Sequence, residues 1–106
     1  MKKSEYSVTI SEPAKIALKN HLQYIIDNYQ NYFAVKSIEK DFYSTVGYIR
    51  ELGESIPLCE DPKLKKLGLR KIHLQKHKLV ILFEINGGHI VIQGIYHTLQ
   101  NYKDLV

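Results

Sequence analysis

Tyr6, Val8 and Ile10 alternate with Ser7 and Thr9 near the start of the chain, and this period of two predicts a short strand over residues 6–10. Ser11 ends it. A serine followed by Glu12 and Pro13 is a helix start, because the serine oxygen caps free amides and proline has none to lose. Ala14, Ala17, Leu18, Leu22, Ile25, Ile26 and Tyr29 then recur at helical spacing, which carries the first helix to residue 28 or 29. Asn28, Gln30 and Asn31 make a polar turn. Beyond it Ala34, Ile38, Phe42, Thr45, Ile49 and Leu52 repeat the helical period up to Gly53, a natural stop, with Pro57 shortly after. Two helices joined by so short a turn predict an antiparallel hairpin.

The second half changes period. Residues 67–74 alternate, with Ile72 and Leu74 on one side and Lys71 and His73 on the other. Residues 79–85 are almost continuously apolar, as expected of a central strand covered on both faces. Asn86-Gly87-Gly88 predicts a hairpin turn into a last strand over 89–96, followed by a tail, 98–105, with room for a helical turn. The order β-α-α-β-β-β defines an α+β fold in which a helical hairpin packs on one face of a mostly antiparallel four-stranded sheet.

Strict alternation without a bulge assigns the side chains to faces. It turns Ile90, Ile92 and Tyr96 toward the helices. It gathers Lys71, His73, Glu84, Gln93 and His97 on the open face.

At 106 residues, 44% hydrophobic and 25% charged, the chain has the size of one domain spanning 1–106. No apolar run is long enough to cross a bilayer and Met1 to Ser4 carry no apolar leader, which predicts a cytoplasmic protein with no membrane partner. A lone cysteine, Cys59, excludes an internal disulfide and a cysteine-based zinc site. The net charge of +4 is concentrated. Lys63, Lys65, Lys66, Arg70, Lys71, Lys76 and Lys78 face Asp61 as the single anion between residues 61 and 78, while the rest of the chain is slightly acidic. A segment of this kind suits RNA, DNA or an acidic protein, and lysine is also how sheets protect their edges.

Several short stretches, taken in order, resemble the RelE/ParE superfamily of toxins from type II toxin–antitoxin operons. They are Ile10-Ser11-Glu12-Pro13-Ala14, Tyr24-Ile25, Leu52 with Pro57, Gly68-Leu69-Arg70-Lys71-Ile72, His77 with the strand after it, and Ile95-Tyr96-His97. The resemblance covers nearly the whole chain. It implies a growth inhibitor of the kind linked to plasmid stabilisation, neutralised by a cognate antitoxin and needing no cofactor. RelE-like members cut mRNA in the ribosomal A site as mRNA interferases, whereas ParE-like members poison DNA gyrase without nuclease chemistry. The basic segment and the three histidines His73, His77 and His97 favour ribosome-dependent mRNA cleavage. A long helical hairpin is similar to the ParE branch and keeps gyrase as the alternative.

Metal-independent cleavage needs an acid, a base and cations on the phosphorane. His97, at the place where RelE-like nucleases carry a histidine or tyrosine, is the acid or base; His73 and His77 are further candidates. Arg70 and Lys71 would stabilise charge, Tyr96 would stack a nucleotide, and Lys63, Lys65 and Lys66 would hold RNA backbone. Each has a plainer reading. His97 then bonds backbone, Arg70 pairs with an acidic neighbour, and the three lysines form a solvated loop. His73 and His77 are four apart but lie on a strand end and turn, and Lys76 and Lys78 flank His77, so metal binding is not expected. Cys59 has no identifiable base. Tyr24, Tyr29, Tyr32 and Tyr43 gather near the hairpin turn as packing or a partner surface.

Overall fold

The computed structural model describes residues 6–106, so the Met1 to Ser4 lead-in lies outside the described residues. Its elements are β1 (Ser7–Ile10), α1 (Glu12–Tyr29), α2 (Tyr32–Leu52), α3 (Pro62–Lys66), β2 (Arg70–His73), β3 (Leu79–Asn86) and β4 (His89–His97). The first helix starts as expected, the Ser11 hydroxyl accepting from the Ala14 amide at 3.3 Å; the second starts on Asn31 of the polar turn, whose side chain accepts from the Ala34 amide at 3.1 Å. Among the described residues no helix is long and apolar enough to cross a membrane.

The sheet order is β1-β4-β3-β2, with β1 parallel to β4 and the other pairs antiparallel. The fold is therefore the expected α+β arrangement. Ala14 and Leu18 of α1 and Ile38, Phe42, Val46 and Ile49 of α2 pack on Ile81, Phe83, Ile90, Ile92 and Ile95, forming the main core. The hairpin covers only this face. On the other, Cys59, Leu64 and Leu69 cover Leu82, joined by Tyr96 and Tyr102. This second layer explains why β3 is apolar on both sides.

Three expectations are corrected. The lysine-rich stretch is not a loop: Asp61 caps a short helix through the Lys63 and Leu64 amides, and the helix carries Lys63, Lys65 and Lys66. The strand expected over 67–74 shrinks to Arg70–His73, because Gly68 at φ 77° turns the chain out of α3 and the Leu69 amide still bonds the Leu64 carbonyl. Leu52 and Tyr29, counted in the apolar stripes, are exposed.

The fourth correction matters most. Leu82 pairs with Gly94 but Phe83 pairs with Ile92, which leaves Gln93 as an extra residue in β4. The bulge reverses alternation beyond it. Ile95 joins the core beneath the helices, Tyr96 turns to the opposite face, and His97 returns to the α1 side opposite Leu79. Sequence alternation had given all three the reverse orientation.

Candidate functional site

The face away from the hairpin holds Lys71, which projects from β2 opposite Leu82. Its ammonium donates to the Tyr102 hydroxyl at 3.2 Å, and the Tyr102 ring lies stacked on Tyr96 with centroids 5.8 Å apart. Gly94 makes the stack possible, since a Cβ there would press on the Tyr96 ring. The Tyr102 hydroxyl is the main reason the Lys71 ammonium is held above its ordinary range, outweighing the burial that opposes it. A cavity of about 310 Å³ adjoins these groups, lined among others by Asp61, Thr98, Asn101 and Lys103. Cys59 lies at its base, and burial pushes its thiol up, away from the thiolate a nucleophile needs. The cluster offers one cation and a flat ring surface.

The remaining sequence-predicted residues do not join it. Arg70 projects toward the opposite face, and its guanidinium is spent on the backbone carbonyls of Ile56 and Glu54. His73 stands exposed at the end of β2 opposite Val80. His77 sits in the β2–β3 loop with Nδ1 2.8 Å from Asp41 of α2. His97 accepts the Leu99 amide on Nδ1 at 3.1 Å and lines a separate cavity of about 380 Å³ with Asn20 and His21 of α1. Of the lysines on α3, Lys63 reaches the Lys103 carbonyl at 2.9 Å, whereas Lys65 and Lys66 are solvated. The structure thus joins Lys71 and Tyr96 through Tyr102, keeps His73 on the same face of the sheet two residues along β2 from Lys71, and places His97, Arg70 and His77 elsewhere.

Three contributors escaped sequence reasoning. Tyr102 lies in a polar tail, and nothing in its spacing ties it to Tyr96 or Lys71. Asp41 is an acid beside the α2 apolar stripe, a signal that could have marked it as a buried anchor. His21 faces His97 from α1, and burial, reinforced by His97 and His77, holds its imidazole below the ordinary range. Among the described residues no group of three or more His, Cys, Asp or Glu side chains is placed to hold a metal ion.

A second surface is apolar. Tyr24, Tyr29, Tyr32, Phe33 and Tyr43 are exposed on the hairpin, with Phe33 89% accessible. Alongside runs a groove of about 330 Å³ between α1 and α2, floored by Leu18, Leu22, Ile26, Val35 and Phe42 and edged by Lys15 and Lys19. Aromatic side chains bury large areas at low entropic cost, and their enrichment is characteristic of protein interfaces rather than of free surface.

No protein-family model matches the chain, and no curated protein sequence matches it. Among solved structures it is similar to a chain of the "Chromosomal ParDE TA system from P. aeruginosa", with a TM-score of 0.71 and 18% sequence identity over 88% of this chain and 96% of that chain. At that identity the likeness is one of architecture: the chain has a ParE/RelE-like fold.

Proposed function

We propose that the protein is the toxin of a type II toxin–antitoxin pair, and that it arrests growth by binding DNA gyrase rather than by cutting RNA. The observation that carries the mode of action is the exposed aromatic surface of the hairpin, centred on Phe33, Tyr29 and Tyr32. Such a surface recognises a protein and performs no chemistry. The toxin assignment draws on the likeness in fold to a ParDE chain and on the sequence resemblance. The antitoxin is expected to be acidic, complementing Lys63, Lys65 and Lys66. Toxin and antitoxin then meet in the cytoplasm.

Ribosome-dependent mRNA cleavage is the second reading, favoured by the pairing of Lys71 with the Tyr96–Tyr102 stack. Lys71 would stabilise the phosphorane and Tyr96 would hold a base. It also needs a proton carrier on the same face; His97 lies on the α1 side, and His73, two residues from Lys71 in β2, would have to be that carrier.

Induced expression should stop growth, and co-expression of the adjacent small acidic open reading frame should restore it. In arrested cells, gyrase trapped on broken DNA with intact mRNA is the expected result. New mRNA 5′ ends with normal supercoiling would replace gyrase with the ribosome, and undisturbed growth under strong induction would remove the toxin assignment.

A further inference from the structure

Residues 98–105 run back over the sheet face opposite the hairpin, and Tyr102 is their anchor. Its ring lies 26° from parallel with Tyr96, and the Lys71 ammonium stands 5.8 Å from the ring centroid as well as against the hydroxyl. Two side-chain contacts assist: Lys63 Nζ with the Lys103 carbonyl at 2.9 Å, and Lys103 Nζ with Asp61 at 3.8 Å. Both are solvent-exposed contacts of the kind that contribute little. Apolar burial is confined to Tyr102, which packs on Cys59, Leu64, Leu69 and Leu82, since Leu99 is 84% and Leu105 60% accessible. One backbone bond, from the Thr98 amide to the Lys78 carbonyl at 3.0 Å, ties the start of the segment to the sheet. A segment held by one ring and a few surface contacts opens at low free energy.

Tyr102 has the form of an internal ligand: it gives Tyr96 a flat ring and Lys71 an oxygen. The adjoining cavity of about 310 Å³ is left partly unfilled by it. We propose that residues 98–105 form a strap that occludes a nucleotide site, in which Tyr96 is the platform for a base and Lys71 the charge for its phosphate, until single-stranded nucleic acid displaces Tyr102. The strap goes beyond the choice of cellular target and holds for either. Stacking on a bare tyrosine tolerates any base, and lysine binds phosphate as a point charge, so the opened site is expected to favour single strands without strong sequence preference. An internal occupant lowers apparent affinity by the fraction of time it is bound.

The test uses a fluorescein-labelled octauridylate and fluorescence anisotropy at low salt. Tyr102→Ala should tighten binding about tenfold relative to the unaltered protein, because the base no longer competes with a tethered ring. Adding Tyr96→Ala or Lys71→Ala to that variant should remove the gain. Tyr102→Phe keeps the stack but frees Lys71, and an intermediate gain is expected from it. Amide exchange at Asp104 and Leu105 should accelerate in Tyr102→Ala. Equal affinity in Tyr102→Ala and the unaltered protein would overturn the site. So would a gain that survives loss of Tyr96, or one matched by heparin, which carries charge without bases. Unchanged amide exchange would overturn the strap itself.

Discussion

Asp41 of α2 receives His77 Nδ1 on Oδ2 at 2.8 Å, and the same carboxylate accepts the Lys76 amide at 2.8 Å and the Gln75 amide at 3.2 Å. One nearly buried side chain thus ties the β2–β3 loop to the hairpin. The loop has no apolar anchor of its own between Leu74 and Leu79. Asp41→Ala would leave two amides and an imidazole without their acceptor, and a loss of about 2–4 kcal/mol in urea unfolding is expected. His77→Ala removes one donor and leaves the carboxylate two, so its cost should be the smaller.

Acid should destabilise the fold in two steps. Burial, then His97 and His77, lower the His21 pKa from its ordinary 6.5, so the native state binds this proton less readily than the unfolded chain. The stability that neutral His21 contributes is complete above pH 6.5 and is lost as pH falls through the lower native value. For Asp41, burial pushes the carboxyl up, but the hydrogen bonds from His77, Lys76 and Gln75 together outweigh it and the pKa falls below 3.8. Its contribution is present above that range and lost as pH falls through the native value. Urea midpoints across pH should show both steps, with His21→Asn removing the first and Asp41→Asn the second.

Gly53 ends α2 with φ at 46°, a region costly for other residues, and a Cβ there would overlap the Tyr6 ring. The Tyr6 hydroxyl accepts the neighbouring Glu54 amide at 3.4 Å, so the ring is not free to withdraw without losing that bond. Gly53→Ala should cost roughly 2–3 kcal/mol, from backbone strain plus overpacking, read as a fall in the thermal midpoint.

The hairpin surface separates binding from folding. Phe33 is almost fully exposed, so Phe33→Ala should leave the thermal midpoint nearly unchanged. If Phe33 anchors the target, the same change should weaken binding to gyrase by about 1–3 kcal/mol and relieve growth arrest. Persistent arrest in a Phe33→Ala/Tyr32→Ala double variant would move the interface elsewhere.

Arg70 and His97 give a further contrast. Arg70→Ala abandons the Ile56 and Glu54 carbonyls and should lower stability by about 1–3 kcal/mol. His97→Ala should leave growth arrest intact under the gyrase reading. Loss of arrest in a folded His97→Ala protein would return the histidine to a catalytic role.

The order of the main elements, the helix start at Ser11, the hairpin and the two-sided core strand were legible in the sequence. They rest on local chemistry: periodicity, capping oxygens and glycine turns act over a few residues and leave their mark there. The short helix over Pro62–Lys66 was also written locally, in Asp61 and Pro62, but the density of lysine drew attention to charge instead.

The candidate site was another matter. Lys71 and Tyr96 were recognised by residue type, yet the face of Tyr96 and His97 was decided by one extra residue, Gln93, inside an otherwise regular strand. Alternation counts residues and has no means of seeing which partner each one meets across the sheet. Tyr102 reaches Lys71 over 31 positions, and Asp41 reaches His77 over 36. Such meetings depend on pairing register and on how the chain returns over the sheet. The sequence by itself determined which residues could do chemistry and which elements carry them; only the tertiary structure decided which of them share a face.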